Sequence, residues 1–179
     1  MKKSQETGWL GNMLSWGKDK QSQASEILYG NAVEMARNPL FFQEFGVSDT
    51  VDGRFDCLAL CVSIIMRRLK ALDAAGAALS QQLFDTMFAD MDLTLREMGA
   101  GDIGVSKRVR IMAEAFTGRL NAYAGALDEG DKAALAAALE RNLLRGEGKA
   151  DAPLVVFVIA LDQKIQGVSD QDILAGQLD

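Results

Sequence analysis

The 179-residue chain contains no histidine. That absence excludes Ser-His-Asp triads, Cys-His dyads, imidazole metal sites and histidine-ligated haem. Cysteine is almost as scarce, with only Cys57 and Cys61 present. They stand four apart in a helical pattern, where Cβ atoms lie about 5–6 Å apart, whereas a disulfide needs roughly 3.5–4.5 Å. Two reduced thiols acting as small core hydrophobes are therefore expected, as in a cytoplasm-like compartment. Two thiolates without imidazole are also too few to hold a zinc ion. No run of about 18 apolar residues occurs, which leaves no transmembrane helix to be expected. Excess positive charge is missing too. The net charge is −6, and a nucleic-acid partner would need a dominant basic field. The opening MKKSQETGWLGNML lacks the apolar core and cleavage site of a secretory signal and the acid-free, Arg/Ser-rich character of a transit peptide.

What is present is helical periodicity. Hydrophobic residues make up 49% of the chain and charged residues 25%, enough for one domain that buries roughly 70% of its unfolded surface. Residues 1–20 are polar except for Trp9, Leu10, Met13, Leu14 and Trp16, flanked by Lys2, Lys3, Lys18 and Lys20. They read as a tail with amphipathic character, and residues 21–179 as the folded domain. From Ser22, Ile27, Leu28, Val33 and Met35, with Ala24 and Ala32 beside them, gather towards one side, and Asn38-Pro39 ends the run. Phe41, Phe42 and Phe45 follow before Gly46. A helix capped by Asp49 or Thr50 then carries Phe55, Leu58, Ala59, Val62, Ile65, Met66, Leu69 and Leu72 at i, i+3, i+4, i+7 spacing. Leu60, Cys61 and Ile64 fill its other side, so it belongs at the domain centre.

Residues 78–98 form the next helical pattern, with Leu83, Met87, Met91 and Leu95 on one face and Asp85, Asp92 and Arg96 opposite. After a break at Gly99–Gly104, Val105, Val109, Met112, Phe116, Leu120, Tyr123 and Leu127 make a core stripe about 34 Å long. Residues 131–145 place Leu135, Leu139 and Leu143 in phase. The run LVVFVIAL from Leu154 has strand propensity, yet no other segment could pair with it, so a buried helix is expected. A short helix capped by Ser169 ends the chain. Together these predict an all-α fold, a single compact multi-helix domain with an N-terminal tail.

Gly99, Gly101 and Gly104 fit G-x-G-x-x-G. A dinucleotide loop of that form follows a strand and opens a helix, whereas here helical periodicity precedes it. A helix stop at Gly99 and a helix start capped by Asp102 or Ser106 account for the loop better. The basic start of the second helix is not explained by capping. Lys107, Arg108 and Arg110 lie where the helix dipole disfavours cations, and Arg119 lies roughly 20° off the line of Arg108. From Gly101 to Leu120 four basic residues stand against two acidic ones, a balance of +2 in an acidic chain. Two readings follow: a site for an acidic partner segment or anionic headgroup, or internal pairing with Asp85, Asp90, Asp92 or Glu97.

The segment FDTMFADMDLTLREMGAGDIGVSKRVRIMAEAFTGRLNAY resembles the core of the ubiquinol–cytochrome c chaperone family. The shared features are the Met91-Asp92 pair, LREMG-x-GD-x-GV-x-KR, and MAE-x-F-x-GR-x-x-AY. GRF-D-x-LAL at Gly53 to Leu60 and RRL at Arg67 to Leu69 extend the likeness over most of residues 25–165, short of the tail and the last dozen residues. Where many members carry a histidine in the central helix, this chain has Cys61.

The resemblance implies an assembly chaperone without catalytic residues, cofactor or metal. It would bind newly made cytochrome b or another subunit of the cytochrome bc complex, together with a small assembly partner protein. It also implies a bacterial-type member in the cytoplasm, peripheral at the inner membrane. The expected partner-binding residues are Asp102, Lys107, Arg108, Arg110 and Arg119. Trp9, Leu10, Met13, Leu14 and Trp16 are the expected weak membrane-interface residues. The competing readings are an anion- or nucleotide-dependent enzyme using Gly99–Gly104 and a membrane-surface adaptor.

Overall fold

Thr50 caps the helix around which the rest is built. Its hydroxyl accepts a 3.1 Å hydrogen bond from the Gly53 amide, which satisfies one of the orphan donors of a helix start. The computed structural model describes residues 22–99 and 101–178. In chain order the helices are α1 (22–36), α2 (Leu40–Gln43), α3 (Val51–Leu69), α4 (Asp73–Glu97), α5 (Asp102–Glu129), α6 (Lys132–Asn142), α7 (Ala152–Gln166) and α8 (Asp170–Leu174). Among the described residues there is no strand, as the all-α expectation required.

The residues of α3 from Phe55 to Ile65 are all buried. It packs against α4, α5 and α7, and α5 in turn packs against α4 and α6. Each fully buried Leu or Ile of α3, such as Leu60 and Ile64, contributes about 1.5–3 kcal/mol of transfer free energy. Cys57 and Cys61 are free and buried here. Burial pushes the Cys57 thiol up to about 12, and Cys61 is raised further by the same cause. The C-terminal end of α3 is tied down by charge. Arg67 donates to Asp128 of α5 and Asp162 of α7, each at 2.9 Å. Arg68 bonds the Val168 carbonyl at 2.8 Å and also pairs with Asp170.

Several elements differ in detail from the sequence expectation. In α1 the buried stripe is Ala24, Leu28, Ala32 and Ala36, while Ile27 is exposed. Small side chains let α1 approach α4 closely, where Ser25 and Thr86 hydroxyls lie 3.2 Å apart and Tyr29 donates to Asp90 at 2.6 Å. α4 begins at Asp73, five residues before the expected start. Leu72 supplies no side-chain cap there, so the sequence carries no start signal. α7 is helical as expected, capped by Asp151 and with Phe157 edge-on to Phe41 at 5.4 Å. It is not buried all round, however, because Val156 is exposed. No helix among the described residues is long and apolar enough to cross a membrane.

Candidate functional site

The glycine motif is a corner between two helices. Gly99 adopts φ +84° and follows the last turn of α4, a left-handed conformation that glycine reaches without strain. The N-cap of α5 is Gly101. Neither Asp102 nor Ser106 holds that position, since both lie within the helix. Gly104 is likewise helical, which shortens the break to Gly99–Gly101. With a helix in front of it, the motif lacks the strand that a dinucleotide loop requires.

α5 runs unbroken for 28 residues, about 42 Å. Two of its basic residues, Arg108 and Arg119, pair internally with carboxylates of α3. Arg108 Nη2 donates to Asp52 Oδ1 at 2.9 Å. Arg119 Nη2 donates to Asp56 Oδ1 at 2.7 Å and its guanidinium lies 5.6 Å from the centre of the Phe55 ring. Sequence reasoning missed a third cation. Arg145, in the α6–α7 loop, donates through Nε to Asp56 Oδ2 at 2.5 Å and reaches Asp52 at 3.5 Å. The result is a chain of alternating charge, Arg108–Asp52–Arg145–Asp56–Arg119, with three guanidiniums against two carboxylates.

One end of this chain is deeply buried and the other wet. Asp56 has no accessible side-chain surface and Arg119 is 13% exposed, whereas Arg108 and Asp52 are each about half exposed. Burial raises the Asp56 carboxyl above the ordinary carboxylate range, against the opposing pull of the Arg145 bond and the Arg119 charge. Arg119 Nε and the Tyr123 hydroxyl are buried nearby without a hydrogen-bond partner among the described residues. One sequence signal for this cluster was available. A carboxylate at Asp56, inside the apolar run from Phe55 to Leu60, needs a buried partner to be tolerable.

The remaining expected site residues are divided. Lys107 is exposed and makes no ion pair among the described residues. Arg110 is exposed and lies 3.8 Å from Glu114 one turn away. The Asp102 side chain and the tail residues Trp9, Leu10, Met13, Leu14 and Trp16 lie outside the described residues. Around the same corner, Leu93 and Met98 of the α4 arm and Ile111 of α5 are exposed, each by more than half of its surface. Among the stripe methionines, Met87 is fully buried, while Met91 and Met112 are half-buried.

Comparison with known proteins identifies the fold. Residues 43–179 match the model of the ubiquinol-cytochrome C chaperone family. The chain belongs to that family. A solved structure, the Cbp3 homolog from Brucella abortus, superposes with a TM-score of 0.79 at 34% sequence identity, covering 93% of each chain. No curated protein sequence matches. The family match reaches residue 179 and so takes in the last dozen residues, which the sequence resemblance had left out. Three separate stretches that carried the resemblance meet in the charge chain. GRFD supplies Asp56, the KR pair supplies Arg108, and the GR pair supplies Arg119.

Proposed function

We propose that this family member holds newly made cytochrome b on the outward face of the α4–α5 hairpin during assembly of the ubiquinol–cytochrome c reductase complex. Family membership supports the assembly-chaperone role and argues against catalysis. The observation that carries the docking face is the exposure of Leu93 and Met98 on the α4 arm and of Ile111, one helical turn beyond Lys107 on α5, within the stretch that resembles the family. Exposed apolar side chains rimmed by unpaired charge suit a polytopic client, which presents apolar helices and charged loops. Met98 adds adaptability through a flexible, polarizable side chain.

In this reading Lys107 and Arg110 meet acidic groups of the client, and Asp102 meets a basic one. Arg108 and Arg119 act from behind by fixing α5 on α3. A small assembly partner protein would share the work. The protein would act in the cytoplasm at the inner membrane, where residues 1–20 add weak surface contact.

The test is the double reversal Lys107→Glu/Arg110→Glu, with Met98→Ser as a separate apolar probe. Pull-down from membranes of the source cell should recover cytochrome b with the parent chain and at least tenfold less with either variant, at unchanged far-UV circular dichroism. Undiminished capture by both variants, or normal levels of the bc complex in cells carrying them, would sink the placement.

A further inference from the structure

Beside the charge chain, the α6–α7 loop borders an open surface cavity of about 330 Å³. Arg141, Arg145 and Lys149 line it against a single acid, Glu140, with Gly146 and Gly148 leaving the wall low. Counted with the charge chain that holds Arg145, five cations (Arg108, Arg119, Arg141, Arg145 and Lys149) stand against three carboxylates (Asp52, Asp56 and Glu140), a balance of +2 in a chain whose net charge is −6.

Helix capping does not account for this charge. Two of the carbonyls that end α6 are already used: that of Leu139 accepts from the Leu143 and Leu144 amides at 2.9 and 3.0 Å, and that of Glu140 accepts from the Gly146 amide at 2.8 Å. Ion pairing uses only part of it: Arg145 is held by Asp56 and Asp52, but Lys149 and Arg141 are less engaged. Lys149 lies 3.5 Å from Glu140 with its side chain 89% exposed. Glu140 is also engaged on its other oxygen by the Ala150 amide at 3.1 Å. Arg141 makes no ion pair among the described residues. Arg145 is held at the rim in an uncommon backbone conformation, φ +54°, which a side-chain-bearing residue adopts only when its surroundings impose it. Here the imposing contacts are Asp56 and the tight turn at Gly146.

We infer that this cavity binds a phosphate group. Two guanidiniums and an ammonium around one opening match the several oxygens of a phosphate better than a single carboxylate would, and the volume admits a phosphoryl group with its substituent. The source is either a small phosphate ester in solution or the headgroup of an anionic lipid. Arg145 belongs to the cavity and to the charge chain at once, so a phosphate competes with Asp52 and Asp56 for the same guanidinium. Occupancy is thereby coupled to the contact between α3 and the α6–α7 loop. The inference does not depend on the client face, which lies on other residues.

The experiment uses the full chain. Calorimetric titration with inorganic phosphate and glycerol phosphate is run beside co-sedimentation with vesicles of phosphatidylglycerol in phosphatidylcholine, with pure phosphatidylcholine as reference. The variant Arg141→Gln/Lys149→Gln changes two exposed side chains and leaves Arg145 in place. The expected result is binding to at least one probe, weakened tenfold or more by the double variant, at an unchanged thermal midpoint. Asp52→Asn removes a competitor for Arg145 and should tighten the same binding two- to fivefold. Calorimetric binding assigns the ligand to solution, and vesicle binding alone assigns it to a lipid headgroup. No binding of any probe by the parent chain overturns the inference. So does binding that survives the double variant undiminished, which on vesicles would assign it to the tail.

Discussion

Asp56 faces two guanidiniums from different elements, at 2.5 and 2.7 Å, with no water-accessible surface of its own. Removing one partner of a buried pair costs about 3–5 kcal/mol because the remaining charge stays desolvated. Arg119→Met is therefore expected to lose that much stability at pH 7, measured by urea unfolding. The pH dependence has a definite sign. Burial raises Asp56 above its ordinary value near 3.8, so the folded chain holds this proton more tightly than the unfolded one. The associated stability is fully present below that ordinary value and is lost as pH rises through the folded value. The Arg119→Met deficit should thus be largest at neutral pH and shrink towards pH 4; an equal deficit at both would refute the assignment. Cys57, with its thiol pushed up to about 12 and no exposed surface, should resist thiol reagents at pH 8 in the folded chain and react fully in denaturant.

At the scale of helices, two glycines make opposite predictions. A Cβ on Gly53 would meet the Ser48 carbonyl oxygen at 2.0 Å, while one on Gly118 of α5 meets nothing within 4 Å. Gly53→Ala is expected to cost about 1–3 kcal/mol through forced displacement of the α3 start. Gly118→Ala should instead gain up to about 1 kcal/mol from helix propensity, and thermal melts of both variants check the pair. This is also the scale at which the sequence was most legible. Helix α3 could be read because its apolar residues and the Thr50 cap are local signals. The centre of α5 was legible for the same reason, and LVVFVIAL was read as helix by excluding any strand partner. The start of α4 was not legible, because Leu72 gives no cap signal and Asp73 enters with φ +47°. The inward face of α1 was legible in part: Ala24, Leu28 and Ala32 pack as expected, whereas Ile27 is exposed and Ala36 takes a place in the stripe. The charge chain was only half readable: the alignment of Arg108 with Arg119 follows from helix geometry, but Arg145 meets Asp56 across 89 residues, a distance over which sequence pattern carries no information.

For the molecule as a whole, the described core runs from Ala24 to Leu178. On a division into a tail of residues 1–20 and a folded remainder, removing the tail should shift the thermal midpoint by less than about 2 °C, well under 1 kcal/mol. A larger drop, followed by circular dichroism, would join the tail to the core. The aromatic residues make this division measurable without any label. Both tyrosines, Tyr29 and Tyr123, sit in the helical domain, Tyr123 fully buried and Tyr29 on Asp90. Both tryptophans, Trp9 and Trp16, precede it. Indole emission, excited at the red edge of the band where tyrosine does not absorb, therefore reports on residues 1–20, whereas indole absorption overlies that of tyrosine, so the domain channel is the tyrosine signal of a chain lacking those residues. A vesicle or client that shifts the first channel and leaves the second unchanged has engaged the tail, and the converse result locates the contact in the domain.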